Sequence, residues 1–61
     1  MKFEIYEDAA HPGEIRWRLK AKNGQIIATS GEGYVDERDC RKAIRSVKRV
    51  NTRTPVERTT A

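Results

Sequence analysis

Apolar residues recur at every second position in two stretches of this chain, and at every third or fourth position in another. Phe3 and Ile5 alternate with Lys2, Glu4 and Tyr6, the period of a strand with one buried face. Ile15, Trp17, Leu19 and Ala21 alternate with Glu14, Arg16, Arg18, Lys20 and Lys22 in the cleanest run of this kind. Between the two runs, Asp8-Ala9-Ala10-His11-Pro12-Gly13 breaks the alternation. Pro12 has no N–H to donate and Gly13 accepts positive φ, so this segment is a loop. Asn23-Gly24 follows the second run. Both residues tolerate positive φ, which predicts a two-residue type I′ hairpin turn. That turn sets Lys22 opposite Gln25, Ala21 opposite Ile26, Lys20 opposite Ile27, Leu19 opposite Ala28 and Arg18 opposite Thr29. Opposed residues share a face, so Trp17, Leu19, Ala21, Ile26 and Ala28 form one apolar surface. Ile27 is left on the polar side beside Lys20.

Gly31 and Gly33 end the third strand. Asp36 then offers an N-cap, and Glu37 and Asp39 suit the positive end of a helix dipole. Cys40, Ala43, Ile44 and Val47 follow at helical spacing and share one stripe. Arg38, Arg41, Lys42, Arg45, Lys48 and Arg49 fall on the other side. The helix is expected from about Asp36 to Val50, with Asn51-Thr52 closing it and Pro55 forbidding continuation. Residues 1–50 form the core unit. Residues 51–61 are expected to be a tail or, from Val56 to Thr60, a short last strand.

The length changes what this pattern can achieve. A chain of 61 residues makes one domain, and a domain that small buries only about 60% of its unfolded surface. Leu, Ile, Val and Phe together number 11 of 61 residues, below the roughly 20% at which order becomes marginal. Small scaffolds make up such a deficit with disulfides, metals or self-association. Cys40 is the only cysteine and His11 the only histidine. An internal disulfide is therefore excluded, and a protein-only metal site is not expected. Self-association remains, and a homodimer is the expectation. No run approaches the roughly 18 apolar residues of a membrane span. The N-terminus also lacks the apolar core of a signal peptide. A cytoplasmic location without membrane contact is the default, and the lone thiol suits a reducing compartment.

Charge is uneven. Residues 1–35 carry five basic and five acidic groups, and residues 36–61 carry eight basic and four acidic ones, the source of the whole +4. Attraction for a polyanion would come from the C-terminal part, and its candidate residues are Arg38, Arg41, Lys42, Arg45, Lys48 and Arg49. Such a stripe either tracks phosphates or is only a solvated helix face. The outer sheet face, with Arg16, Arg18, Lys20, Lys22 and Tyr6, admits the same two readings, but Glu4 and Glu14 lie beside those cations. Ser30-Gly31-Glu32-Gly33 precedes the helix, where glycine loops can cradle phosphate. Here Glu32, Asp36, Glu37 and Asp39 would repel an anion, and the spacing fits no nucleotide-binding signature. Cys40 lies on the apolar stripe, where a thiol is an inert small hydrophobe. Trp17 reads as a packing anchor. No catalytic residue and no cofactor is expected.

Phe3-Glu4-Ile5-Tyr6, Arg16-Trp17-Arg18-Leu19-Lys20-Ala21 and Asn23-Gly24-Gln25-Ile26-Ile27-Ala28, with Ser30 and Gly33-Tyr34, resemble the YegP-like family of small domains. Cys40, Ile44 and Ser46-Val47-Lys48 are similar to its helix. The resemblance runs from about Phe3 to Val50. It implies three strands, a helix and a C-terminal strand per unit, and a dimeric form when the chain holds one unit, with C-terminal strands exchanged. It brings no activity and no catalytic residue. The expectation is thus an α+β domain, β-β-β-α-β, with one helix on a small antiparallel sheet. Its function is expected to be that of a non-enzymatic homodimeric module. The alternative is weak, sequence-tolerant nucleic-acid binding through the basic helix face.

Overall fold

The computed structural model describes residues 1–60. Three strands, β1 (Lys2–Glu7), β2 (Ile15–Lys20) and β3 (Ile26–Thr29), are followed by one helix, α1 (Glu37–Lys48). The strands form an antiparallel sheet in the order β1-β2-β3. The expected period-2 runs therefore become β1 and β2, with Phe3 opposite Leu19 and Ile5 opposite Trp17. Among the described residues, no helix is long and apolar enough to cross a membrane.

Two of the backbone hydrogen bonds in the β1–β2 loop bring Glu14 back onto it. Asp8 N–H donates to the Glu14 carbonyl at 2.9 Å, and Glu14 N–H donates to the His11 carbonyl at 3.0 Å. The second bond spans Pro12 and Gly13, with Gly13 at φ +88°. Proline then glycine at these positions is the type II turn pattern.

The β2–β3 hairpin differs from expectation in two ways that cancel. Its loop has three residues, Lys22-Asn23-Gly24, closed by Ala21 N–H to the Gln25 carbonyl at 2.8 Å and Gly24 N–H to the Ala21 carbonyl at 3.0 Å. Gly24 lies at φ +87°, and among the described residues no residue other than glycine has positive φ. Asn23 therefore does not supply the second positive φ that a type I′ turn needs. Its side-chain carbonyl instead accepts the Gln25 N–H at 3.0 Å, a bond typical of asparagine in turns. This loop sets Lys20 opposite Ile26 rather than Ile27. A bulge at Ile27 then restores the expected pairs, Leu19 with Ala28 and Arg18 with Thr29. Ile26 goes with Lys20 to the outer face instead of joining Trp17, and Ile26 and Ile27 are each about half exposed, at 50% and 53%.

β3 does not simply stop at the glycines. After Ser30 N–H bonds the Trp17 carbonyl at 2.9 Å, the chain bows outward over Gly31–Gly33 and returns as Tyr34, paired both ways with Ile15 at 2.7 and 2.8 Å. Ser30 is buried and spans the break. Its hydroxyl accepts the Trp17 N–H at 3.3 Å and donates to the Glu32 carbonyl at 2.9 Å. Gly33 lies close to Glu14, and a Cβ there would stand 2.7 Å from its carboxyl group, so that side chain would have to move aside.

Asp36 caps α1, accepting the Arg38 N–H at 2.9 Å. The helix is shorter than the expected Asp36–Val50 by Asp36 and Arg49, which serve as its caps, and by Val50 beyond them. Cys40 and Ile44 are buried against Trp17, with Phe3, Ile5, Ile15, Leu19, Ala28, Tyr34, Ala43 and Val47 packed around them. Phe3 meets Trp17 edge-on at 5.6 Å between ring centroids. Ala21 and Ile26 are absent from this cluster.

Beyond the helix, Asn51–Thr54 makes a turn, with Thr54 N–H bonded to the Asn51 carbonyl at 3.0 Å. The expected strand over Val56–Thr60 does not form, and residues 51–60 are exposed. Within one chain the order is β-β-β-α. The reason is physical: a strand needs a neighbour to bond, and here the segment has left the sheet behind.

Candidate functional site

Two surfaces merit attention: the outer side of α1, and a groove between α1 and the β1 edge. The helix repeat of 3.6 residues turns Cys40, Ala43, Ile44 and Val47 to the sheet. All six expected cations, Arg38, Arg41, Lys42, Arg45, Lys48 and Arg49, are consequently exposed. The structure divides them. Arg38 pairs with Asp36 at 2.8 Å and Arg41 with Glu37 at 2.8 Å. Among the described residues, Lys42, Arg45, Lys48 and Arg49 have no acidic partner within 4.0 Å. The unpaired cations of the stripe thus run from Lys42 at mid-helix to the C-cap Arg49.

The outer sheet face is different. Glu4 sits opposite Arg18 and reaches three cations: Arg18 at 2.7 Å, Lys20 at 3.4 Å and Lys2 at 3.5 Å. Arg18 also lies over the Tyr6 ring, 4.7 Å from its centroid. The only aromatic on this face is therefore covered by an arginine, and the cations there are largely committed. The hydrogen bond from Arg18, followed by those from Lys20, lowers the Glu4 carboxyl from an ordinary 4.5 to about 2. A carboxyl depressed on folding adds stability above its unfolded value and loses that contribution as pH falls through its folded value. Stability is therefore expected to fall between about pH 4.5 and pH 2, and Glu4→Gln to flatten that fall while lowering stability at pH 7. Urea unfolding at a series of pH values reads both. An unchanged slope in the variant would remove Glu4 from the account.

Asp8, His11 and Glu14 bring ligand-type atoms within 4.8 Å of one another, a grouping the sequence did not reveal. It arises because the Pro12-Gly13 turn folds Glu14 back toward Asp8. Arg16 already occupies the cluster, with Nε 2.8 Å from Asp8 Oδ2 and Nη2 3.5 Å from Glu14 Oε2. The Ala10 N–H, then His11, then Arg16 hold the Asp8 carboxyl below its usual value. A fixed guanidinium among the carboxylates makes this an ion-pair cluster that closes the loop.

The glycine segment before α1 offers no anion cradle, since the Asp36 carboxylate takes the Arg38 N–H at the helix start. Cys40 is fully buried, and burial pushes its thiol up from the ordinary value. His11 lies in the β1–β2 loop, bonded through Nδ1 to Asp8 at 3.1 Å. The thiol and imidazole each have their own surroundings and form no pair.

The groove has a volume of about 1090 Å³. Phe3, Ile5, Leu19, Ile44, Val47 and Val50 give it an apolar lining, and Arg41, Arg45 and Lys48 stand at its helical side. Met1 and Val50 beside it are 82% and 59% exposed. The pattern showed each of these residues on its own element but not the space between the elements.

Comparison with known proteins places these features in a family. The family described as a domain of unknown function, DUF1508, matches residues 10–57, which carries the match past Val50 into the tail. A UPF0339 protein of Neisseria meningitidis serogroup B is 51% identical over 57 residues, covering 93% of this chain and 96% of its own. One from Methanosarcina acetivorans is 55% identical over 47 residues, covering 77% of this chain and 76% of its own. A third, from the 5′ region of the ptx operon of Stutzerimonas stutzeri, is also 55% identical over 47 residues, which are only 40% of its length. A protein from Haloferax volcanii solved by NMR has a similar fold, with a TM-score of 0.79, 41% identity, and coverage of 95% of this chain and 93% of that one. The chain belongs to the DUF1508 family of UPF0339 proteins, the YegP-like family that its strand and turn residues resemble.

Proposed function

We propose that this protein is a non-enzymatic, homodimeric module of the cytoplasm whose two copies exchange C-terminal segments. The carrying observation is the apolar groove between β1 and α1, open beside a tail that bonds to nothing in its own sheet. β1 is an edge strand, so its outer backbone groups can take another strand. The partner's Pro55–Thr60 would lie along that edge, with Val56, 97% exposed in the single chain, over the groove.

Surface area supports this reading. The chain exposes 5377 Å², whereas a compact monomer of this mass exposes roughly 4,000 Å². The excess is of the size that a stable dimer buries per partner, about 800 Å² or more. Its radius of gyration is 13.2 Å, against roughly 10.5 Å for a compact domain of this length. The family match, which runs through residue 57, supports counting the tail with the unit. The Stutzerimonas relative, with more than half its length outside the match, has room for a second unit within one chain.

Light scattering at tens of micromolar is expected to give twice the chain mass, with a melting temperature that rises with protein concentration because dissociation is coupled to unfolding. Val56→Asp is expected to lower both mass and melting temperature, an effect that a side chain so exposed in one chain would not otherwise have. A single-chain mass with a concentration-independent melting temperature would overturn the proposal.

A further inference from the structure

We infer that Lys42, Arg45, Lys48 and Arg49 form a binding surface for the phosphate backbone of duplex nucleic acid, without sequence preference. The charge of the chain is more sharply divided than its two halves suggest. Residues 1–41 carry seven basic groups against eight acidic ones; residues 42–61 carry six against one. The four helical cations lie on one arc of α1 and repel one another at spacings of three and four residues. Nothing on the helix offsets this, since the acids of α1, Glu37 and Asp39, sit in its first turn. The stripe is about 10 Å long at 1.5 Å per residue, and a duplex presents about six phosphate charges over that length.

The structure also selects among polyanions. Single strands are held by bases stacked on exposed aromatics, and this stripe has none; Tyr6, on the opposite face of the sheet, is covered by Arg18. An anionic bilayer is held by an amphipathic helix with its apolar side in the membrane, but here that side is packed on the sheet. Ser46, the polar residue within the stripe, gives its hydroxyl to the Lys42 carbonyl at 3.3 Å. What remains is phosphate contact, which positions a duplex and reads no bases.

The test is fluorescence anisotropy with two labelled 20-base-pair duplexes of unrelated sequence. Both are expected to bind with similar affinity at 50 mM salt. With about four phosphate contacts, affinity should fall on the order of 100-fold between 50 and 200 mM salt. Changing all four residues to Gln is expected to abolish binding, and changing only Lys42 and Arg49, which do not line the groove, to weaken it severalfold while circular dichroism and mass stay unchanged. Arg38→Gln with Arg41→Gln removes two charges already paired and is expected to change affinity less than about twofold, as for charges neutralised in the free protein. Four outcomes would overturn the inference: no duplex binding at about 100 µM protein, the weak end of non-specific affinity; equal loss from the paired arginines; tighter binding of single strands; or binding of phosphatidylserine vesicles in place of duplex. Because mass is followed in parallel, failure here is separable from failure of the dimer.

Discussion

Replacing Trp17 with alanine is expected to destabilise the fold by about 3–5 kcal/mol, the usual loss on truncating a buried large aromatic. A domain of this length has only about 3–9 kcal/mol in total, so the variant should be largely unfolded. The expectation rests on how few side chains share the core: Trp17, Cys40 and Ile44 are the buried hydrophobic ones. Trp17 meets Phe3 edge-on and packs against both of the others. Trp17→Phe is expected to cost much less than half as much. Phenylalanine keeps an aromatic ring at the same place, so most of the packing against Phe3, Cys40 and Ile44 is retained. Urea denaturation of the two variants reads the difference. Equal losses would mean that ring packing does not set the cost.

Gly24→Val should destabilise the chain by about 1–3 kcal/mol, the scale of one strained backbone residue, and Gly31→Ala by far less. Gly24 sits at φ +87° with open space around its missing Cβ, so the obstacle is conformation and not collision. A β-branched residue there is forced into a region it rarely visits. Gly31 has neither positive φ nor a neighbour within 4 Å of an added Cβ. Chemical denaturation of the two proteins compares them, and equal losses would place the turn elsewhere.

The sheet and helix were legible because strict periods and a cap speak about local geometry. Asp36, Cys40, Ala43, Ile44 and Val47 announce α1, and the alternation around Trp17 announces β2. Asn23-Gly24 announces a hairpin but not its loop length, since a two-residue loop and a three-residue loop with glycine last can use the same pair. The side chain of Asn23 decides between them by bonding Gln25. Ile27, a misfit to any two-residue turn, was the trace of the compensating bulge. Ser30 read as part of a glycine run, and its buried bridge to Trp17 depends on a strand thirteen residues earlier. The basic stripe was visible as a set, but its division was not. Which arginines are neutralised depends on side-chain reach at the helix start, where Asp36 and Glu37 take Arg38 and Arg41.

The two rims of the sheet are unlike. β1 offers six residues in regular register, whereas β3 offers four, interrupted by a bulge and followed by an outward bow. Short, bulged rims resist the addition of foreign strands. The sheet therefore has a valency of one for lateral growth. In the proposed exchange the partner's tail covers the long rim of each sheet, and the short, bulged rim offers no site for another strand, so a small protein with so much exposed backbone would be guarded against open-ended fibres by the asymmetry of its own hairpin.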